Sequence, residues 1–137
     1  LSGEYALAMI DIDNLKQIND RFGHPAGDTA IYHTAQAIRA ILRSQDELVR
    51  YGGDEFLLLF HSLPQNILRR KLEDICRAVQ ALRVADLPEL RITVSIGGVY
   101  AAGQISELVE KADLALYRAK AQKDSAVLYE EDFHDSE

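Results

Sequence analysis

Two pairs of carboxylates, Asp11 with Asp13 and Asp54 with Glu55, stand where side chains of that type could handle a cation. The first pair closes an apolar run, Tyr5 to Ile10, and the second follows a double glycine, Gly52-Gly53. A hard divalent cation such as Mg²⁺ takes one or two carboxylates and completes its octahedron with water and phosphate oxygens. A strand-to-helix junction after Asp13 would offer backbone N–H groups to a phosphate, with Lys16 one turn into that helix. Gly52 and Gly53 lack a Cβ, so a bulky ligand can come close to the backbone there. The chemistry suggested is metal-assisted work on a phosphate-bearing substrate. A plainer alternative stays open on these residues alone: a hairpin with a solvated acidic shoulder, Asp13 capping a helix, and Lys16 as a solvated cation.

The elements that must position these groups follow from periodicity. Tyr5–Ile10 is almost wholly apolar and reads as a strand buried on both faces, with the acids at its C-terminal end. A helix over about 14–21, capped by Asp13, is broken by Gly23-His24-Pro25, and proline suits the first turn of the next helix. That next helix carries Ile31, Thr34, Ile38, Ile41 and Leu42 on one face. Glu47–Tyr51 and Phe56–Phe60 flank Gly52-Gly53 and read as a hairpin whose two-residue turn needs positive φ at both glycines. Ile67 or Leu68, with Leu72, Ile75, Cys76, Val79 and Leu82, marks a third helix. Leu90–Ile96 alternates at period two and reads as a strand running on to about Tyr100. Ile105, Leu108, Val109, Ala112, Leu116 and Ala119 mark a last helix, and Ala126–Tyr129 a last short strand. The order β-α-α-β-β-α-β-α-β predicts an α/β domain of the α+β kind: a five-stranded mixed sheet with surrounding helices. One domain over 1–129 and an acidic tail over 130–137 are expected.

Composition narrows the partners. The formal net charge of −7 makes the chain a poor binder of nucleic-acid backbone, so no nucleic-acid partner is expected. A nucleoside triphosphate would need a metal and a few placed cations for compensation. No apolar run approaches the roughly 20 residues that cross a bilayer, so this domain itself is expected to make no membrane contact. Cys76, the single cysteine, reads as a core residue of the third helix.

Several of these residues recur in an ordered set: Asp11-Ile-Asp-Asn-Leu-Lys16, Ile18-Asn-Asp20, Phe22-Gly-His24, Gly27-Asp28, Arg50-Tyr-Gly-Gly-Asp-Glu-Phe56, Thr93-Val-Ser-Ile-Gly97 and Ala112-Asp-Leu-Ala-Leu-Tyr-Arg-Ala-Lys120. In that order, over nearly the whole chain, they closely resemble the GGDEF domain of bacterial diguanylate cyclases. The resemblance implies a palm-like fold, as in nucleotidyl cyclases and polymerase palms. It implies condensation of two GTP into cyclic di-GMP with release of pyrophosphate, in an antiparallel homodimer whose subunits each hold one GTP. It implies Mg²⁺ or Mn²⁺ held by Asp11, Asp54 and the Ile12 carbonyl, with Glu55 supporting the site or the nucleophile. Asn14, Leu15, Lys16 and Lys120 would hold the β- and γ-phosphates, and Gly52 and Gly53 would border the nucleotide. Asn19 and Asp28 would read guanine; a carboxylate accepts from the guanine N1–H and amine together, a pair adenine lacks. His24 is read as a structural loop residue. The resemblance further implies a cytoplasmic location, with an N-terminal sensory or dimerising module that can be membrane-attached.

Arg43-Ser-Gln-Asp46 ends six positions before Gly52, the register of the family's R-x-x-D inhibitory site. There Arg43 would grip cyclic di-GMP through its planar fork and Asp46 would accept from guanine. The alternative is an arginine at a helix end with Asp46 opening a turn. The sequence departs from the family after Lys120. Where a Gly-Arg-Asn run is usual it has Lys123-Asp124-Ser125, so an acid replaces a phosphate-binding arginine, with Lys123 one position before it. Weakened GTP affinity is expected from that acid. The Leu-Thr-Gly-Leu and Asn-Arg elements usual before the first strand are absent from these residues, which read as part of a longer chain. A different class of function therefore stands beside the enzyme: a catalytically weak or inactive module that acts as a receptor for cyclic di-GMP or GTP.

Overall fold

The computed structural model describes residues 4–130; the acidic tail expected beyond Glu130 lies outside the described residues. The first strand, β1 (Glu4–Ile12), is central, and its sequence explains why. Ala6, Ala8, Ile10 and Ile12 point to one face while Leu7 and Met9 point to the other, and all are buried. A strand apolar on both sides must have layers on both sides.

The chain runs from β1 into α1 (Leu15–Phe22) and α2 (His24–Ile41), then the hairpin β2 (Glu47–Arg50) and β3 (Glu55–Phe60). It continues through α3 (Gln65–Gln80), β4 (Val94–Ala102), α4 (Ile105–Gln122) and β5 (Ser125–Leu128). The sheet order is β2-β3-β1-β4-β5. Every neighbouring pair is antiparallel except β4–β5, whose parallel pairing requires the crossover that α4 supplies. Both the element order and the mixed five-stranded sheet agree with the expectation from sequence. One face packs on α1, α2 and α3 around Phe56, Phe60, Leu72 and Ile75; the other packs on α4 through Leu108, Ala112 and Leu116. Gly97 sets the second contact: a Cβ there would lie 2.2 Å from Ala112 O and Leu116 N, so α4 lies directly on the β4 backbone.

Two local expectations are corrected. Leu90–Thr93 is not strand, although Leu90 and Ile92 are buried as their alternation implies. Alternation reports which side faces the core; a ladder needs a partner, and β1 ends at Ile12, opposite Val94. The β2–β3 turn is not a two-residue turn with left-handed glycines either. The last pair is Arg50 with Phe56, and Tyr51 N donates to Glu55 O at 2.9 Å. Among the described residues only Gly23 and Gly103 are glycines with positive φ. The longer loop is held by the Arg50 guanidinium, which donates to Gly53 O. Gly53 faces open space, where a Cβ would meet nothing within 4 Å.

Candidate active site

The topology brings the two carboxylate pairs together. Asp11 is the cross-strand partner of Glu55 on β3, and Ile12 N donates to Asp54 O at 3.3 Å. Alternation along β1 puts Asp11 on the α4 side with Leu7 and Met9, and there Lys120 of α4 forms an ion pair with Asp11 Oδ2. Asp11 Oδ1 is buried without a hydrogen-bond partner. Burial, with the neighbouring Asp54 carboxylate, pushes the Asp11 pKa up to about 6 against the pull of Lys120. Burial lowers the Lys120 pKa, but the hydrogen bond and charge of Asp11, with Glu55 and Asp54, outweigh it and leave it raised.

A cleft of about 310 Å³ is lined by Asp11, Ile12, Asn14, Leu15, Lys16, Asp54, Lys120 and Lys123, among others. The Ile12 side chain is core, so only its backbone can serve the cleft. A larger cavity, about 760 Å³ between α3, α4 and β5, contains none of the carboxylates. Asn14 precedes α1 in the left-handed conformation (φ 58°, ψ 34°), which asparagine tolerates. The first N–H groups of α1 have no intrahelical partner and open on the cleft, a disposition that suits an anion. Lys16 is largely exposed and pairs with Asp20 at 3.4 Å.

Asp13 is corrected. It caps no helix: α1 has no side-chain cap. Its buried carboxylate accepts from Ser95 Oγ (2.6 Å), Thr93 Oγ1 (2.7 Å) and Asp124 N (2.8 Å). It thereby ties the end of β1 to the start of β4 and to the turn before β5. That role needs three distant segments to meet, and only Thr93 and Ser95 in the Thr93–Gly97 motif hinted at it.

Other expected residues lie outside the cleft. Asn19 sits one turn along α1, about 6 Å from Leu15 by helix rise. Its Oδ1 accepts from Gly27 N at 2.8 Å, and a Cβ on Gly27 would come within 2.4 Å of that oxygen. Gly27 therefore seats the Asn19 amide, and exposed Asp28 follows it on α2. Gly52 and Gly53 are exposed in the hairpin loop, and the half-buried Glu55 stands across from Asp11. Arg43 and Asp46 are engaged with each other: Asp46 accepts from Arg43 Nη2 (2.7 Å), N (2.9 Å) and Nε (3.1 Å). Arg43 Nη2 also donates to His61 O at 2.8 Å, anchoring the turn to the end of β3. Burial raises the Asp46 pKa, but the Arg43 contacts prevail and hold it below the ordinary value. Asp124 does not face the cleft. Its carboxylate accepts from Gln80 Nε2 at 2.8 Å and lines a separate cavity between α3 and β5.

Among the described residues, no set of three or more His, Cys, Asp or Glu side chains converges as a closed metal site. Asp11 and Asp54, with an orphaned buried carboxylate oxygen, fit a hard cation that keeps water and phosphate among its ligands.

The family model for "Diguanylate cyclase, GGDEF domain" matches residues 2–126. The chain belongs to this family. Diguanylate cyclase DgcM of Escherichia coli is 37% identical over 130 residues, covering 93% of this chain and 31% of the relative. The chain thus spans less than a third of that protein's length. The GGDEF domain of TpbB from Pseudomonas aeruginosa superposes with a TM-score of 0.86 at 37% identity, covering 93% of this chain and 83% of that one. The GGDEF domain of DgcB from Caulobacter crescentus, solved in complex with c-di-GMP, gives 0.84 at 30% identity, covering 91% of this chain and 75% of that one. The GGDEF fold is therefore that of this chain, and no helix among its described residues is long and apolar enough to cross a membrane.

Proposed function

We propose that this GGDEF domain condenses two GTP into cyclic di-GMP, with release of pyrophosphate from each. The observation that carries the reading is the cleft itself, where Asp11, Asp54 and Lys120 meet the open N-terminus of α1. Asp11, Asp54 and the Ile12 backbone would hold Mg²⁺ or Mn²⁺, which when bound stabilises charge at the α-phosphate and lowers the pKa of the attacking hydroxyl. Lys120 neutralises Asp11 and shares its charge with the phosphates. The N–H groups of Leu15 and Lys16 receive phosphate oxygens, and the nucleotide then runs along α1 toward Asn19 and Asp28. The Asn19 amide, its oxygen held by Gly27, presents its N–H₂ to the guanine, while Asp28 accepts from the base. Glu55, opposite Asp11, borders the ribose hydroxyl, and Gly52 and Gly53 leave room beside it.

One cleft of this size takes one triphosphate, so the attacking 3′-hydroxyl comes from a GTP held by a second copy of the chain. Homodimerisation, driven by an N-terminal sensory or dimerising module, completes the site, and the GTP supply places it on the cytoplasmic side. Arg43 and Asp46 are assigned to product inhibition. Their mutual ion pair would open for cyclic di-GMP, whose guanines and phosphates suit the same donor fork and acceptor.

The test is product analysis by chromatography after incubation of a dimerised form with GTP and Mg²⁺. Cyclic di-GMP is expected, and none from Asp54→Ala. GTP that binds but is never converted would replace the enzyme by the receptor reading, which the closed Arg43–Asp46 pair favours as a ligand-opened switch. Arg43→Ala should raise the product concentration needed for half-inhibition; absence of cyclic di-GMP binding by calorimetry would remove the inhibitory site.

A further inference from the structure

The turn between α4 and β5 carries two consecutive residues in the left-handed region, Lys123 (φ 63°) and Asp124 (φ 46°). Lys123, with ψ 163°, occupies a backbone region that glycine populates and side-chain-bearing residues avoid. The turn is forced into this shape from several directions. Lys123 N donates to Ala119 O at 2.8 Å, Asp124 N donates to Asp13 Oδ2 at 2.8 Å, and Ser125 Oγ donates to Ala119 O at 3.1 Å. A glycine at 123 would meet all these constraints without strain. What lysine adds is an ammonium in the cleft, where Nζ donates to Asn14 Oδ1 at 2.5 Å.

The charges of the cleft give that ammonium a use. Lys120 is paired with Asp11 and Lys16 with Asp20, whereas Lys123 rests on a neutral amide oxygen. It can turn to an anion without breaking an ion pair. The neighbouring Asp124 carboxylate points away, to Gln80. We propose that Lys123 is the cation that binds the terminal phosphates of the nucleoside triphosphate, delivered by a strained turn that Asp13 holds in place. This rests on the nucleotide-binding reading above and gives the chain an arrangement of its own: the cation precedes the position of the usual arginine, and the acid at that position stays outside the cleft.

The experiment titrates the α,β-methylene analogue of GTP, and separately GMP, each with Mg²⁺, into the full chain and into Lys123→Gly and Lys123→Arg, with melting temperatures measured in parallel. Loss of one charge-assisted hydrogen bond predicts that Lys123→Gly weakens the triphosphate analogue about tenfold. GMP affinity should stay within about twofold, and the melting temperature without ligand should rise as backbone strain is relieved. Lys123→Arg should keep most of the triphosphate affinity. A gain in stability joined to a loss in triphosphate binding is not expected of a structural lysine. Unchanged triphosphate affinity in Lys123→Gly overturns the proposal, as does an equal loss for GMP and the triphosphate. Absence of analogue binding by the unaltered chain overturns the nucleotide reading and this proposal with it.

Discussion

Replacing Asp13 by alanine separates a helix cap from a buried hub. Loss of an N-cap side chain costs about 1 kcal/mol. The carboxylate seen here accepts from two hydroxyls and a backbone N–H at 2.6–2.8 Å. Ser95 is fully buried, so its hydroxyl cannot be rehydrated, which costs about 1–3 kcal/mol. Half-buried Thr93 and the exposed Asp124 turn can reach water, so each contributes about 1 kcal/mol. Relief of the carboxylate's own desolvation trims the sum to about 3 kcal/mol. Asn at 13 keeps one acceptor for Asp124 N and allows the hydroxyls to turn round, so about half that loss is expected. Urea unfolding followed by circular dichroism should show a lower midpoint with unchanged slope. In a double-mutant cycle, Asp13→Ala and Ser95→Ala should couple by at least about 1 kcal/mol. A loss near 1 kcal/mol for alanine, additive with Ser95→Ala, would refute the hub and restore the cap.

Further outcomes follow from other sites. The Asp11 carboxyl, raised from 3.8 to about 6, keeps in the folded chain a proton that the unfolded chain has lost. Its contribution to stability is therefore full below about pH 4 and fades as pH rises through about 6, by about 2–3 kcal/mol. In chelator, Asp11→Asn should match the parent near pH 4 and exceed it near pH 7; a difference independent of pH contradicts the assignment. The Cys76 thiol, buried and pushed up to about 12, should not react with an aromatic disulfide at pH 8 until urea unfolds the chain. Gly97→Ala, whose Cβ would meet α4 backbone at 2.2 Å, should cost about 3 kcal/mol by chemical denaturation. It should also displace Lys120 from Asp11, visible as a shifted lysine resonance by NMR.

Element order was legible because each segment carries its period on the surface of the sequence. The uniform apolar run of β1 already required a layer on each face. Side-chain roles that depend on register were harder. Asp11 and Asp13 look alike in sequence, yet Asp11 lies inside β1 and meets Lys120 of α4, while Asp13, one residue past the strand's end, accepts from Thr93 and Ser95. Leu90 and Ile92 carry a strand pattern because they are buried, although no strand lies beside them. The double glycine suggested positive φ, but Arg50 closes the loop on Gly53 O in another way. Asp124 looked like a repelling acid in the phosphate site, and only the backbone of the turn shows that it faces Gln80 while Lys123 enters. Dihedral angles of that kind are set by long-range hydrogen bonds and leave no periodic trace.

The seam around Asp13 also bears on how the domain comes into being. The bonds from Asp13 to Asp124 and from Asn14 to Lys123 span 111 and 109 residues. The carboxylate half of the cleft is set by β1 and β3, while both cations of its far wall arrive with α4 and the turn after it. A growing chain therefore holds Asp11 without Lys120 until the last helix of this domain has been made. Such distant contacts are closed late and slowly. Ribosome-bound intermediates that lack α4 would carry an acidic notch without Lys120 and Lys123, so that the triphosphate binding proposed above would be a mark of the finished domain.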